Sequence, residues 1–341
     1  MSVRPTALEG DAGAWDAFVT QAEGSGFCHL AGWHEVMHDV LGAECHYLVV
    51  SGEDGELEGV LPLARVKSRL FGHYLVSLPF LNHGGPIGTP RAVRLLVRSA
   101  VREAVRSRAD LLELRTRRDL DLGLPLSMRK HEVVLDLPAA EETLWDGYSA
   151  KLRSQIRRPM KEGLEAKFGA EHVDAFYDVF ARTMRDLGTP VLPRAWFERI
   201  ARTFPAQVVF GVVYRGSEPL AAGCGFVWRG EFEITWACSV RRASRIAPNM
   251  LLYWAFMQEM IRRGVTRFNF GRTTPGSGPH KFKQQWGGRD VPLPWCRYTS
   301  GERAAPPSPG DSAYSWGPRL WRHLPLPVAN AVGPHLVRYL P

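Results

Sequence analysis

Between Thr266 and Trp286 the run TRFNFGRTTPGSGPHKFKQQW gathers cations, glycines and aromatic rings where chemistry could be done. Thr266 to Phe270 sets Phe268 and Phe270 against Arg267 and Asn269, the period of two that marks a strand. From Gly271 to Gly278 three glycines and Pro275 predict an irregular loop, leaving Arg272, Thr273 and backbone N–H groups at the strand's carboxyl end. His280, Lys281, Phe282, Lys283 and Trp286 follow at once. Cations beside free N–H groups can neutralise the phosphates of a nucleotide-type donor. A solvated basic loop is the plainer reading of the same letters.

Three further groups carry charge or hydrogen-bonding capacity. Asn249 stands at a predicted helix start behind Pro248, with Arg242 and Arg245 just before it, an arrangement that favours an anion; a helix cap followed by surface arginines is the alternative. Lys151, Arg153, Arg157, Arg158 and Lys161 stand together without an acidic residue until Glu162. They suit a phosphate-rich acceptor, a diphosphate lipid or a transfer-RNA acceptor arm, against a solvated helix face. Asn82 and His83 lie in the glycine-bearing loop Leu81 to Pro86, where His83 could act as an acid or base near neutral pH, against a turn histidine with no catalytic role. No CxxC or HxH pair is present, and no metal site is expected. With no GxSxG elbow, a covalent serine or cysteine route is disfavoured as well.

The elements that must position these residues form two similar series. In the first, Leu8 to Glu23 and Trp33 to Leu41 read as helices. Tyr47–Ser51, Gly59–Val66 and Tyr74–Leu78 read as an antiparallel meander, followed by a helix from Arg91 to Ser107 and strands Leu111–Thr116 and Glu132–Leu137. In the second, Val208–Arg215, Pro219–Trp228 and Glu231–Ser239 read as strands, and Pro248 opens a helix, apolar on nearly every face, that leads into Arg267–Phe270. Repetition at an offset of about 160 residues predicts a tandem pair of α/β or α+β domains. Between them a helix should start at Glu141 and be kinked or ended by Pro159, with another amphipathic helix from Val173 to Leu187.

The chain of 341 residues has 45% hydrophobic and 23% charged residues, an ordinary globular composition, and its net charge of +8 favours anionic partners. Five scattered cysteines and the absence of an apolar leader or a spanning-length apolar run fit a cytoplasmic protein. Pro306, Pro307 and Pro309 predict a stiff linker. Beyond it a tail with Leu320, Trp321 and Leu324 near Arg319 and Arg322 either lies on the inner face of a membrane or docks on its own protein.

The motif FNFGRTTPGSGPHKFKQQWG, with LNHGGPI, KLRSQIRRPMKEGL, GTPVLP and LPLPVANAVGP, resembles the FemAB-like proteins associated with exosortase/PEP-CTERM exopolysaccharide systems, within the GNAT N-acyltransferase superfamily. The resemblance covers most of the chain. It implies two tandem GNAT-like domains, each a mixed, mostly antiparallel sheet flanked by helices, at 1–140 and 141–300, with a linker and amphipathic tail at 301–341. It also implies transfer of an acyl or aminoacyl group to an amine of a cell-envelope or exopolysaccharide precursor by direct attack in a ternary complex. The co-substrate is acyl-CoA or aminoacyl-tRNA, with no tightly bound cofactor; the acceptor is a small molecule or a lipid-linked glycan or peptide. An aminoacyl-tRNA-dependent transferase and a non-catalytic precursor-binding module are the alternatives. By position, Lys283, Arg272 and His280 are the expected catalytic residues. Asn249, Arg242, Arg245, Gly271, Thr273, Gly278, Phe282 and Trp286 are expected at the donor, and Arg153, Arg157, Arg158, Asn82 and His83 at the acceptor. The family's Q/R-x-x-G-x-G/A pyrophosphate loop is replaced by Arg242-Ala243-Ser244-Arg245-Ile246-Ala247, and no carboxylate stands out as a general base.

Overall fold

The computed structural model describes residues 2–6, 12–68, 72–300 and 316–340. In chain order it begins with β1 (Ser2–Thr6), α1 (Ala12–Gln21), α2 (Trp33–Glu35), β2 (Glu44–Ser51), β3 (Leu57–Ser68), β4 (Gly72–Val76), β5 (Ile87–Gly88), α3 (Pro90–Ser107), β6 (Leu111–Leu114) and β7 (Leu126–Asp136). It continues with α4 (Glu141–Gly147), α5 (Ala150–Lys161), β8 (Leu164–Phe168), α6 (Val173–Leu187), α7 (Arg194–Thr203), β9 (Val208–Arg215), β10 (Glu218–Trp228) and β11 (Glu231–Ser239). The last elements are α8 (Pro248–Arg262), β12 (Arg267–Thr273), α9 (Gly278–Gln284), β13 (Arg289–Thr299), α10 (Trp316–Trp321) and α11 (Leu326–Val337).

These elements group into two units, one of residues 1–130, 292–314 and 335–341, the other of residues 131–291 and 315–334. In unit 1 the strand order is β1-β2-β3-β4-β6-β13, with β4 and β6 parallel and the β1–β2, β2–β3, β3–β4 and β6–β13 pairs antiparallel. Unit 2 has the order β7-β12-β11-β10-β9-β8, with β11 and β12 parallel and the other pairs antiparallel. Each unit thus places its one long crossover helix, α3 or α8, between the two parallel strands, which is the geometry such a connection requires. The same device seats both helices close to their sheets. An added Cβ on Gly59 of β3 would come 2.8 Å from Ala92 of α3, and one on Gly223 of β10 would come 2.7 Å from the Phe256 ring of α8.

The repeated order of strands, helix and strand appears as read from the sequence, and several boundaries differ. Division at residues 140 and 300 is replaced by one at 130/131, with residues 292–299 returned to unit 1, because Cys296 to Thr299 form a ladder with Leu114 to Leu111. The predicted helix from Glu141 breaks instead at Tyr148, where Ser149 caps a new helix by accepting from the Leu152 N–H. Pro159 sits inside that helix, three residues before its C-cap Glu162. There the hydrogen bond it removes is one of the last, so the basic cluster rides on intact helix. The Trp33 helix changes to a π turn over Val36–Val40. β1, β8, α7 and β13 were not anticipated. Residues 8–11 of the first predicted helix and the proline linker at 306–309 lie outside the described residues.

The tail docks on unit 2. Arg185 Nη1 donates to the Leu324 carbonyl at 3.1 Å, and Arg322 Nη2 donates to the Leu187 carbonyl at 3.3 Å. Gly188, left-handed at φ 79°, packs against Pro318, and Gly333 packs against Val191. Among the described residues no helix is long and apolar enough to cross a membrane.

Candidate active site

The site in unit 2 begins where two parallel strands part. β11 and β12 pair only over Glu231–Glu233 and Arg267–Asn269. Beyond that point β11 runs on to Ser239 and β12 to Thr273 without pairing each other, which opens a gap at their carboxyl ends, the usual place for a ligand beside parallel strands. Asn269, wholly buried, holds the parting. Its Nδ2 donates to Glu231 Oε1 at 3.1 Å, and its Oδ1 accepts from the Gly271 N–H at 2.8 Å. The β12–β7 register shifts between Asn269 and Arg272, and Gly271 takes φ 68°, a bulge that only glycine enters without strain. Strand pairing therefore continues through Arg272 and Thr273, opposite Glu132 and His131, where the sequence pattern predicts loop.

A cavity of about 320 Å³ fills the gap. Its walls are Ile234, Thr235 and Ala237 from β11, Phe270 from β12, Asn249 and Tyr253 from α8, and Pro279, Phe282 and Lys283 from α9. The aromatic side chains brace one another: Tyr253 stacks on Phe270 at 5.6 Å between centroids and meets Phe282 edge-on at 5.1 Å. In the wall Asn249 Oδ1 is a buried acceptor without a hydrogen-bond partner.

Lys283 is the charged residue of that wall. Ser277 caps α9 by accepting from the His280 N–H, and on this short helix Lys281 faces solvent while Lys283 is only 9% exposed. Its Nζ donates to the Gly271 and Arg272 carbonyls, both at 2.9 Å, using two of its three N–H bonds. Burial lowers its pKa from 10.5 to about 8, a fall opposed by the charges of Glu233 and Glu132 and assisted by Arg272. Glu233 and Glu132 are themselves buried. The arrangement can present an ammonium N–H to an oxygen that gains negative charge.

Other expected site residues have different surroundings. His280 is buried and accepts from the Gly276 N–H through Nδ1 at 3.1 Å, which leaves the proton on Nε2, 2.9 and 3.0 Å from the Asp290 oxygens. It ties the turn after β12 to the start of β13 and does not line the cavity. Trp286, fully buried, packs behind it against Tyr148, Tyr253 and Phe282. Thr273 Oγ1 lies 3.4 Å from Ser277 Oγ, and Gly278 opens α9. Arg242 is paired with Glu218, and Arg245 is exposed on the 3₁₀ turn Arg241–Ile246; neither reaches the cavity wall. That turn closes on itself, the Ala243 N–H donating to Val240 and the Ala247 N–H to Ser244. On α5, Arg153 donates to the Trp145 and Asp146 carbonyls, Arg157 lies 4.9 Å over the Trp145 ring, and Arg158 is exposed, all away from the cavity.

Asn82 and His83 are buried in unit 1, where His83 lines a separate cavity of about 130 Å³ with Ser25, His29, Arg115 and Arg117. His29 there is pushed down to about 4, chiefly by burial, while its Nε2 meets the Gly85 carbonyl at 2.9 Å. The carboxylates near Lys283 and the walls Thr235, Tyr253 and Phe270 escaped the sequence reading. Glu233 alternates with Phe232 and Ile234 like the polar side of a strand, so its type alone did not separate a buried carboxylate from a solvated one.

Residues 150–284, which contain this cavity, match the model of the acetyltransferase (GNAT) domain. The UDP-N-acetylmuramoylpentapeptide-lysine N(6)-alanyltransferase of Weissella viridescens is 28% identical over 155 residues, 43% of this chain and 44% of that protein. The chain thus aligns with less than half of that relative's length. Among solved structures, FemX superposes with a TM-score of 0.65 at 15% identity, covering 88% of this chain and 97% of that one. A tandem GNAT protein from the clavulanic acid biosynthesis pathway gives a TM-score of 0.54 at 13% identity, covering 89% and 99%. The fold likeness is to tandem GNAT-type structures, and the domain match falls on the half that holds this cavity. Residues 150–284 thus match a GNAT acetyltransferase domain, and the chain as a whole shares the fold of FemX.

Proposed function

We propose that unit 2 transfers an acyl or aminoacyl group from an activated donor to an amine of a cell-envelope or exopolysaccharide precursor. The observation that carries the reading is Lys283, buried in the cavity wall with a pKa near 8 and one N–H left after its two backbone carbonyls. In this mechanism the neutral amine nitrogen of the acceptor attacks the donor's carbonyl carbon in a ternary complex. The carbonyl oxygen takes the electron pair and is stabilised by the Lys283 ammonium; collapse breaks the bond to the leaving sulfur or oxygen, which departs with the proton the amine gives up. No serine, cysteine or histidine stands among the residues lining the cavity, in keeping with direct attack. Arg272, beside Lys283 and opposite Glu132 in the ladder, helps set the charge at the site. The acceptor class follows the alanyltransferase relative, which by its name acts on a lysine N6 amine.

A specific observation favours an ester donor such as aminoacyl-tRNA over acyl-CoA. The 3₁₀ turn at Arg241–Ile246 uses N–H groups internally that a pyrophosphate cradle would leave free, and the exposed cations of α5 suit an RNA backbone. Thermal-shift and single-turnover assays with acetyl-CoA and with aminoacyl-tRNA test both levels. Product with either donor supports transfer, and salt-sensitive binding of the tRNA alone selects the ester. Binding of precursor with no turnover of any donor would leave the chain a non-catalytic binding module.

A further inference from the structure

The tail helix α11 leaves part of its apolar surface uncovered by its own protein. Its buried side includes Ala329, Gly333 and Val337, with Gly333 so close to Val191 that an added Cβ would lie 2.8 Å from the Val191 nitrogen. Two of its valines nevertheless face outward: Val328 is 43% exposed and Val332 41%, with Ala331 exposed between them. Spacings of three and four put these residues on one stripe, the pattern of an apolar face that expects a partner. Leu320, 61% exposed on α10, and Leu187, 55% exposed where Arg322 bonds its carbonyl, present further apolar surface on the same unit.

Charge narrows the partner. From Trp316 to the last residue there is no aspartate or glutamate, while Arg319, Arg322 and Arg338 are present and Arg319 and Arg322 are exposed. Outward valines and leucines in a tail whose fixed side-chain charges are all arginine match a surface that is apolar below and negatively charged above. We infer that α10 and α11 form a docking surface for anionic phospholipid, laid on the membrane plane with Val328, Val332 and Leu320 entering the acyl boundary and Arg319 and Arg322 meeting headgroup phosphates. This goes beyond the acyl-transfer reading and is independent of it.

The test is co-sedimentation of the full chain with vesicles of phosphatidylcholine alone and of phosphatidylcholine mixed equally with phosphatidylglycerol. The expected result is binding to the anionic vesicles only, released by molar salt. It should fall at least tenfold in Val328→Asp/Val332→Asp and several-fold in Arg319→Glu, while the melting temperature shows both variants folded. Because salt release is read on the unaltered protein, a variant that misfolds does not remove the test. Equal binding to both vesicle types, binding unchanged by the aspartates, or a solution dimer that the aspartates split to monomer would overturn the inference, the last by assigning the face to a second copy of the chain.

Discussion

Replacing Lys283 should move activity and stability in opposite directions with pH. The fall of its pKa from 10.5 to about 8 corresponds to about 3 kcal/mol of preference for the neutral form in the folded protein. The unfolded chain therefore binds the extra proton between about pH 8 and 10.5, and stability from this residue rises with pH across that window. Below pH 8 both states are protonated and the cost of the buried ammonium is fully felt. Lys283→Met keeps most of the volume and removes the charge, so urea denaturation should show the variant gaining on the wild type at pH 7, a gain that shrinks by about 3 kcal/mol towards pH 10.5. The two carbonyls that lose their donor reduce the gain at pH 7 without altering its slope. Activity runs the other way. As the donor to the developing oxyanion, Lys283 must be charged, so kcat/KM should fall above about pH 8, although the acceptor amine becomes more nucleophilic there. In Lys283→Met, kcat should drop about 10²- to 10³-fold, the usual loss for one oxyanion donor. A variant that keeps wild-type kcat, or a wild-type alkaline limb that persists in it, would refute the assignment.

Two other perturbations test the frame that holds the site. Gly223→Ala sets a Cβ 2.7 Å from the Phe256 ring and 3.0 Å from Ile234, a cavity residue; overpacking should cost about 1–3 kcal/mol in urea denaturation and reduce activity by displacing the wall. In unit 1, burial alone would raise the pKa of Glu113, but Arg115 and Arg297 at 3.0 and 2.7 Å outweigh it and hold the carboxyl below its ordinary range. Its stabilisation is present above the ordinary pKa of 4.5 and is lost as pH falls below it, so Glu113→Gln should cost about 3 kcal/mol or more at pH 7 and much less in acid, measured by denaturation at both pH values.

The repeated order of strands, helix and strand was legible in the sequence because it rests on local periodicity. A short apolar, valine-rich run in Val208–Arg215, alternation at the start of Glu231–Ser239 and a longer apolar run after Pro248 declare strands and buried helix whatever surrounds them. Local chemistry also marked Asn249, Phe282 and Lys283 as candidates, and these three share one cavity wall. What tertiary structure decided was which cations are buried and which strands part. Lys281 and Lys283 are the same residue type two positions apart, and only the packing of α9 sends one to solvent and the other onto the carbonyls of Gly271 and Arg272. His280, Arg242 and Arg245 looked equally apt by type, yet Asp290 holds the first, Glu218 pairs with the second, and the third faces solvent. Glu132 and Glu233 come from strands a hundred residues apart in the chain, and their shared field at Lys283 arises from long-range strand pairing that no spacing in sequence encodes.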